Sequence, residues 1–115
     1  MISKEIINLD NQKWENIRSN FTTAVFGKQL MIEDWSKVKI TYTRVEPNGE
    51  FPAHVDNYHH IFLFLEGTGE GFIEDEIFEI KPNVLVRISA GVKHGYKNNS
   101  NQDLLLITIN IPKKE

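Results

Sequence analysis

Residues 49–60 read GEFPAHVDNYHH, and residues 89–98 read SAGVKHGYKN. All four histidines of the 115-residue chain lie in these two stretches. Side chains two apart on an extended strand point to the same face, so His54 and Asp56 project together. If strand pairing continues past residue 58, His60 shares that parity and His59 points the other way. We therefore expect one cluster, joined by His94 from a strand distant in sequence.

Such a cluster has the composition of a metal site. Three imidazoles and one carboxylate, at about 2.0–2.2 Å from one ion, form a shell suited to Zn, Fe, Mn, Ni or Cu. The alternative is that each histidine is an ordinary surface or hydrogen-bonded residue, with His59 and His60 forming a polar strand entry. The concentration of all four histidines in two stretches, beside an acid at period two, favours the metal site. The candidate ligands are His54, Asp56, His60 and His94.

Outside these stretches, short apolar runs alternate with turn residues. The runs are rich in β-branched and aromatic residues, which is typical of strands. One short helix is predicted over residues 11–17, with Asp10 as its cap and with Trp14 and Ile17 on one face. Short strands at this spacing predict an antiparallel sandwich or barrel. The predicted strands cover residues 22–26, 38–45, 60–65, 71–73, 77–80, 84–88 and 104–111.

The composition is that of an ordinary globular protein. A length of 115 residues suits a single domain. The formal charge is −3, and the 13 basic residues are scattered among 16 acidic ones, so no nucleic-acid footprint is expected. The absence of cysteine excludes disulfides and thiolate metal sites. No apolar run approaches the ~18 residues of a membrane span, and we expect a cytoplasmic protein.

The two histidine stretches resemble the two motifs of the cupin superfamily, G-x5-H-x-H-x3,4-E-x6-G and G-x5-P-x-G-x2-H-x3-N. The resemblance runs over about half of the chain and implies an all-β fold, the cupin double-stranded β-helix or jelly-roll barrel. It implies one cupin domain over residues 1–115, with a core barrel at about 36–112 and a short helical or extended N-terminal segment. The residues at, or within one position of, the motif positions are Gly49, His54, Gly67, Gly91, His94 and Asn98.

The ligand positions depart from the motif in a compensating way. Asp56 stands where the family usually has its second histidine, and His60 stands where it usually has glutamate. Three histidines and one carboxylate are therefore retained, and the resemblance implies a divalent metal ion. Asp56 could also orient an imidazole, or serve as a general base beside an open coordination position.

Several other residues are candidates for the pocket lining. Tyr96 and Asn98 share the parity of His94, and Phe62 shares that of His60. The alternative interpretations are that Tyr96 is an ordinary packing residue and that Phe62 fills the floor of the barrel. Arg44 lies mid-strand, where it either covers a dimer edge or faces the cavity as an anion clamp. The candidate lining residues are His59, Phe62, Tyr96, Asn98 and Arg44.

The resemblance implies a range of activities that includes isomerases, lyases and dioxygenases. Our first expectation is a metal-dependent enzyme acting on a sugar or a small acid. The second is a non-catalytic cupin that binds or senses a small ligand and uses the metal structurally, and a weaker third is a metal-free barrel. We also expect a homodimer, in which Ile6, Ile7 and Leu9 add a strand to the neighbouring copy.

Overall fold

The structure is a computed structural model that describes residues 4–114. Within that range, the chain forms one short 3-10 helix and nine strands, which confirms the all-β prediction. The elements are the 3-10 helix Leu9–Asn11, β1 Glu15–Asn16, β2 Thr23–Ile32, β3 Lys39–His54, β4 Tyr58–Glu66, β5 Gly69–Ile73, β6 Glu76–Ile80, β7 Leu85–Ile88, β8 His94–Lys97 and β9 Leu104–Pro112.

The strands form one curled antiparallel sheet in the order β6-β5-β8-β3-β9-β4-β7, with β2 paired to β3 and β1 paired to β2. The long strand β3 joins the two halves of the barrel. Its first part, residues 39–45, pairs with β9, and its last part, residues 50–54, pairs with β8. Between these parts lies Asn48, whose φ of 67° is in the left-handed region that asparagine tolerates.

The inward faces of the strands divide the interior into two zones. On β4, alternate side chains point inward, and they run from His60 through Phe62 to Phe64. Phe64 is fully buried against Val45 and Leu106 in an apolar core. The histidine end of the same strand lies in the polar part of the interior. The period-two pattern therefore places a candidate site directly above the hydrophobic core.

The N-terminal prediction is corrected in part. The helix predicted over residues 11–17 is wrong: a 3-10 helix ends at Asn11, and Glu15–Asn16 pairs with β2 as an extended strand. Trp14 packs on Tyr42, whereas Ile17 packs against the core. Pairing with the edge of β2 holds this segment extended. Trp14 and Ile17, which the sequence placed on one face of a helix, therefore flank a short strand instead. The strand β2 also lies outside the range 36–112 predicted for the core barrel.

Two turns connect consecutive strands. Asn83, after Pro82, has a φ of 75°, the left-handed conformation that a type II turn requires at its third position. Glu74 and Asp75 form the turn between β5 and β6, because Ile73 pairs with Glu76. No helix in the part of the chain that the structure describes is long and apolar enough to cross a membrane.

Candidate metal centre

Four predicted ligands come together at one point inside the barrel. His54 ends β3, His94 begins β8, and these two residues are direct partners in the antiparallel pairing of the two strands. His60 points inward from β4, and Asp56 lies in the short loop between β3 and β4. One ligand atom from each of the four residues lies within 4.8 Å of the others. The topology thus unites two stretches about 40 residues apart.

The carboxylate lies among the three imidazoles. Asp56 Oδ2 is 2.9 Å from His54 Nε2, 2.8 Å from His60 Nε2 and 3.8 Å from His94 Nε2. All four side chains are largely buried, with exposed fractions between 2% and 9%. Ligands about 2.1 Å from a common ion are separated by roughly 3.0–3.4 Å when they subtend angles between 90° and the tetrahedral value. The three separations from Asp56 lie within about 0.4 Å of that range.

The Nδ1 atoms of the three rings are held by fixed acceptors. His54 Nδ1–H donates to the carbonyl oxygen of Pro52 at 2.8 Å, and His94 Nδ1–H donates to that of Val92 at 2.9 Å. His60 Nδ1–H donates to Asn110 Oδ1 at 2.8 Å. A neutral imidazole with its hydrogen on Nδ1 has its lone pair on Nε2. In the neutral, metal-binding form of these rings, all three would direct an Nε2 lone pair into the cluster, as metal ligation requires.

Two observations test whether the residues fit a cation. Both ring nitrogens of His54 face an oxygen atom, yet a neutral imidazole has only one N–H to donate. His94 Nε2 is buried and has no hydrogen-bond partner among residues 4–114. Burial lowers the pKa of His94 to about 4, so this ring is neutral at pH 7. A cation bound to the Nε2 atoms satisfies these lone pairs, and the residues therefore fit a divalent metal.

Asp56 supplies the negative charge of the cluster. Burial by itself raises the pKa of Asp56, but the hydrogen bond with His60 and the charges of His54, His60 and Arg18 outweigh that effect and lower it. The carboxylate is therefore ionised at neutral pH. Its second oxygen, Oδ1, accepts a hydrogen bond from Arg18 Nη1 at 3.3 Å. Nitrogen and carboxylate ligands together suit Zn, Mn, Fe, Ni or Cu.

The cluster opens into a cavity of about 450 Å³. The lining includes the aromatic side chains Phe51, Phe62 and Tyr96. It also includes polar side chains, because β2, β3 and β9 present hydroxyl, amide and amine groups inward. This volume is in the usual range for small-molecule sites. The polar side chains are Gln29, Lys39, Thr41, Thr43, Thr108 and Asn110.

The structure places the five candidate lining residues in different environments. Phe62 and Tyr96 line the cavity. Tyr96 packs on Phe62 at 5.5 Å between ring centroids, and burial raises the pKa of Tyr96, so its hydroxyl stays protonated. The hydroxyl of Tyr96 is therefore a hydrogen-bond donor rather than a base.

The other three lie elsewhere. His59 points away from the cluster, and its Nδ1 accepts a hydrogen bond from the backbone N–H of Ala90 at 2.9 Å. Arg44 lies on the outer face of the sheet, where its guanidinium stacks over Trp14 at 4.5 Å. Asn98 is buried below the site, and its amide donates to the carbonyl of Val45 at 2.9 Å. Strand parity explains why the side chains of His59 and Arg44 point away from the cavity. The Asn98 side chain is buried because it stabilises a turn.

Sequence reasoning missed several lining residues. Thr41 and Thr43 alternate with inward Val45 on β3, so strand parity contained the information needed to find them. Asn110 similarly follows Leu104 and Leu106 at period two on β9. Arg18 gave no comparable indication, because it lies 36 positions before His54, directly after a segment predicted to be helical. Only the pairing of β1 with β2 brings Arg18 to the cavity.

Comparisons with known proteins agree with this architecture. The family model described as Cupin domain matches residues 41–110. The polyketide cyclase RemF from Streptomyces resistomycificus superposes with a TM-score of 0.84 at 21% identity, over 96% of this chain and 80% of that one. A predicted oxalate decarboxylase from Thermotoga maritima gives 0.83 at 16% identity, over 95% and 100% of the two chains.

KdgF from Halomonas sp. superposes with a TM-score of 0.83 at 13% identity, over 98% of this chain and 97% of that one. Comparison of the sequence with curated proteins gives no match. The structural likenesses establish the fold, and the family match confirms the resemblance seen in the two histidine stretches. Because the family match covers more than half of the chain, the chain belongs to the cupin family described as Cupin domain.

Proposed function

We propose that this cupin is a divalent-metal-dependent enzyme that acts on a small polar molecule such as a sugar or a small acid. The observation that carries the proposal is the convergence of three Nε2 lone pairs, each fixed by an acceptor on Nδ1, with an ionised carboxylate. A divalent ion held there would polarise a substrate carbonyl or lower the pKa of bound water. Isomerase, lyase and dioxygenase reactions are all compatible with that chemistry.

The walls of the cavity provide the means to bind and orient a polar substrate. Thr41, Gln29 and Asn110 present hydroxyl and amide groups that can pair with hydroxyl or carbonyl oxygens. Phe51 and Phe62 add apolar surface to the same lining. A lining that combines polar and apolar groups suits an amphipathic small molecule more than a hydrocarbon.

Tyr58 supplies a hydroxyl in the cavity lining that could hold a proton for the reaction. Its ring lies 4.9 Å from that of His60, and it lines the cavity. Burial, reinforced by the charge of Asp56, raises the pKa of Tyr58 more than Arg18 lowers it. Tyr58 therefore remains protonated and can donate a hydrogen bond to a substrate oxygen. We assign Asp56 to the metal rather than to general-base catalysis, because both of its oxygens already have partners.

That engagement of Asp56 also favours a second candidate function. A binding or sensing cupin needs no general base, and within the described chain the remaining carboxylate of the cavity lining is Glu15, on the short strand β1 at its rim. In this alternative the metal holds the ligand in place, and the ligand is not converted to a product. Nuclear magnetic resonance of small sugars and acids, incubated with metal-loaded protein, separates the two candidates. Product formation supports the enzyme, and line broadening without product supports the binder.

Elemental analysis tests the metal site on which both functions depend. Untagged wild-type protein and the His59→Ala control should contain about one divalent ion per chain. His54→Ala and His94→Ala should lose it, because each removes an Nε2 ligand from a different stretch. Wild-type protein that folds but takes up no Zn²⁺, Mn²⁺, Fe²⁺, Ni²⁺ or Cu²⁺ would overturn the proposal.

We also propose that the protein acts as a cytoplasmic homodimer. Support comes from large apolar side chains that the isolated chain leaves exposed, among them Trp35 at 75% and Ile32 at 49%. Ile6 is 97% exposed on the extended N-terminal segment, as a strand-adding contact would require. Light scattering of the wild type should give twice the chain mass. A monomeric mass would overturn the dimer without affecting the metal site.

A further inference from the structure

The N-terminal segment forms one side of the cavity mouth. Glu15 pairs with Gly27 and Asn16 with Phe26 on β2, and the backbone N–H of Ile17 donates to the carbonyl of Val25 at 3.0 Å. These residues precede the part of the chain that the family model matches. The metal cluster is thus built from the matched region, whereas this side of its entrance is a feature of the N-terminal segment.

Aromatic rings hold Arg18 at this entrance. The Arg18 guanidinium lies 4.7 Å from the ring centroid of Phe21 and 5.7 Å from that of Phe51. The Arg18 carbonyl accepts backbone hydrogen bonds from Phe21 at 2.8 Å and Thr22 at 3.0 Å. Stacking fixes the guanidinium without consuming its N–H donors. The side chain is therefore positioned before any ligand arrives.

Most donors of Arg18 remain available. Within residues 4–114, its guanidinium has one hydrogen-bond partner, Asp56 Oδ1 at 3.3 Å. The side chain is 43% exposed and lines the cavity, so its other N–H groups are accessible to a ligand. A guanidinium fork matches the two oxygens of a carboxylate. Arg18 can consequently hold an anionic group beside the metal cluster while it keeps its contact with Asp56.

The charges of the cavity lining also favour an anionic ligand. Its lining contains Arg18 and Lys39 as basic residues, and Glu15 and Asp56 as acidic residues. These charges balance, so a bound divalent cation leaves a surplus of positive charge in a partly desolvated space. An anionic ligand neutralises that surplus, and a neutral sugar does not. Lys39 also borders a shallow groove that contains three further lysines, Lys37, Lys113 and Lys114.

We propose that the ligand of this site is a small carboxylate, and that Arg18 is the residue that recognises its carboxylate group. This inference rests on the proposed metal-dependent function and narrows it from small polar molecules to small acids. One oxygen of the ligand would face the histidine cluster, and the carboxylate would pair with the free N–H donors of Arg18. Arg18 is therefore a specificity residue supplied by the N-terminal segment.

Calorimetric titration of malonate into Zn²⁺-loaded protein tests the proposal. Arg18→Gln should weaken malonate binding roughly 10- to 100-fold, because a charge-assisted pair is lost. Arg18→Lys should fall between wild type and Arg18→Gln, since it keeps the charge and loses the fork. Arg87→Gln is the matched control: it removes the same charge from an exposed position on β7 and should bind like wild type.

Binding of neutral malonamide distinguishes recognition of the carboxylate by Arg18 from a purely structural role of Arg18 at the cavity mouth. A general loosening of the mouth would weaken malonate and malonamide alike, whereas loss of anion recognition affects malonate alone. Zinc content and thermal midpoint, measured on each variant, show whether the site is still assembled. Malonate binding by Arg18→Gln at wild-type strength would overturn the proposal. Failure of acetate, malonate and succinate to bind wild type at about 10 mM would also overturn it.

The two proposals fail in distinguishable ways. Protein that takes up none of Zn²⁺, Mn²⁺, Fe²⁺, Ni²⁺ and Cu²⁺ overturns the metal-dependent function, whatever malonate does. Titration of malonate into that metal-free protein then tests the role of Arg18 alone. Protein that binds Zn²⁺ and shows no Arg18-dependent binding of malonate keeps the metal site and overturns the carboxylate assignment.

Discussion

His54 and His94 face each other as direct cross-strand partners, with their ring centroids 4.3 Å apart. Each ring donates its Nδ1–H to a carbonyl two residues earlier, from Pro52 and Val92. The same local hydrogen bond therefore orients both rings, on strands that are far apart in the sequence. Backbone carbonyls hold these imidazoles ready for a cation, so metal binding needs little rearrangement of the two side chains.

Metal binding should stabilise the folded protein. A divalent ion at 100 times its dissociation constant adds about 2.7 kcal/mol to the free energy of unfolding, because it binds the folded cluster. We expect the thermal midpoint of the wild type and of His59→Ala to rise by roughly 10 °C on loading. The midpoint of His94→Ala should not respond. Equal shifts in all three proteins, measured by circular dichroism, would place the ion elsewhere.

The stability of the metal-free protein should depend on pH through His94. Burial lowers the pKa of His94 to about 4 in the folded state, from an ordinary value of 6.5. The unfolded chain therefore binds the proton first, and stability falls as the pH drops from 6.5 towards 4. Asp56, whose folded pKa is also lowered, adds a further loss as the pH falls below its ordinary value of 3.8.

Urea denaturation of chelator-treated protein between pH 4 and pH 8 measures this dependence. His94→Gln removes the titrating ring, so its stability should change less than that of the wild type between pH 6.5 and pH 4. Identical slopes for the two proteins would contradict the assignment to His94. Full stability should be present above pH 6.5 in the wild type.

Asn98 should prove structural rather than part of the ligand site. Its amide donates to the carbonyls of Val45 and Gln102, and its Oδ1 accepts from the backbone N–H of Ser100. Asn98→Ala leaves these buried groups unpaired and should cost about 1–3 kcal/mol in the free energy of unfolding. The exposed neighbour Asn99 serves as the control, since Asn99→Ala should be nearly neutral. Zinc content should stay at wild-type level in both variants, and its loss in Asn98→Ala would argue for a role at the site.

Gly27 should be required for the N-terminal segment to lie on the sheet. A Cβ at this position would meet Ile17 Cδ1 at 2.7 Å and Thr41 Cγ2 at 2.9 Å. Gly27→Ala should therefore displace the segment that carries Arg18, at a cost of about 1–3 kcal/mol, and weaken malonate binding. The double variant Gly27→Ala/Ile17→Ala should recover part of both losses, because it removes the clash. Full binding and stability in Gly27→Ala alone would contradict this account.

Local sequence pattern was a good guide wherever a strand has one polar and one apolar face. Parity alone put His60 and Phe62 on the same inward face of β4, and it put His59 on the opposite face. It was less informative at the edges of the sheet. Trp14 and Ile17 have a spacing that helices and strands both allow, and the free edge of β2 selects the strand.

Strand alternation and turn residues were enough to predict an antiparallel β-fold and a four-residue cluster, and the resemblance of the two stretches to the cupin motifs identified the barrel. The reason is that period-two alternation and left-handed turn positions are local properties of the chain. The entrance of the cavity required the folded structure. Arg18 meets Asp56, 38 positions away, because β1 pairs with β2 and Phe21 and Phe51 stack on its guanidinium. Such long-range contacts depend on how the sheet closes, and no local pattern encodes them.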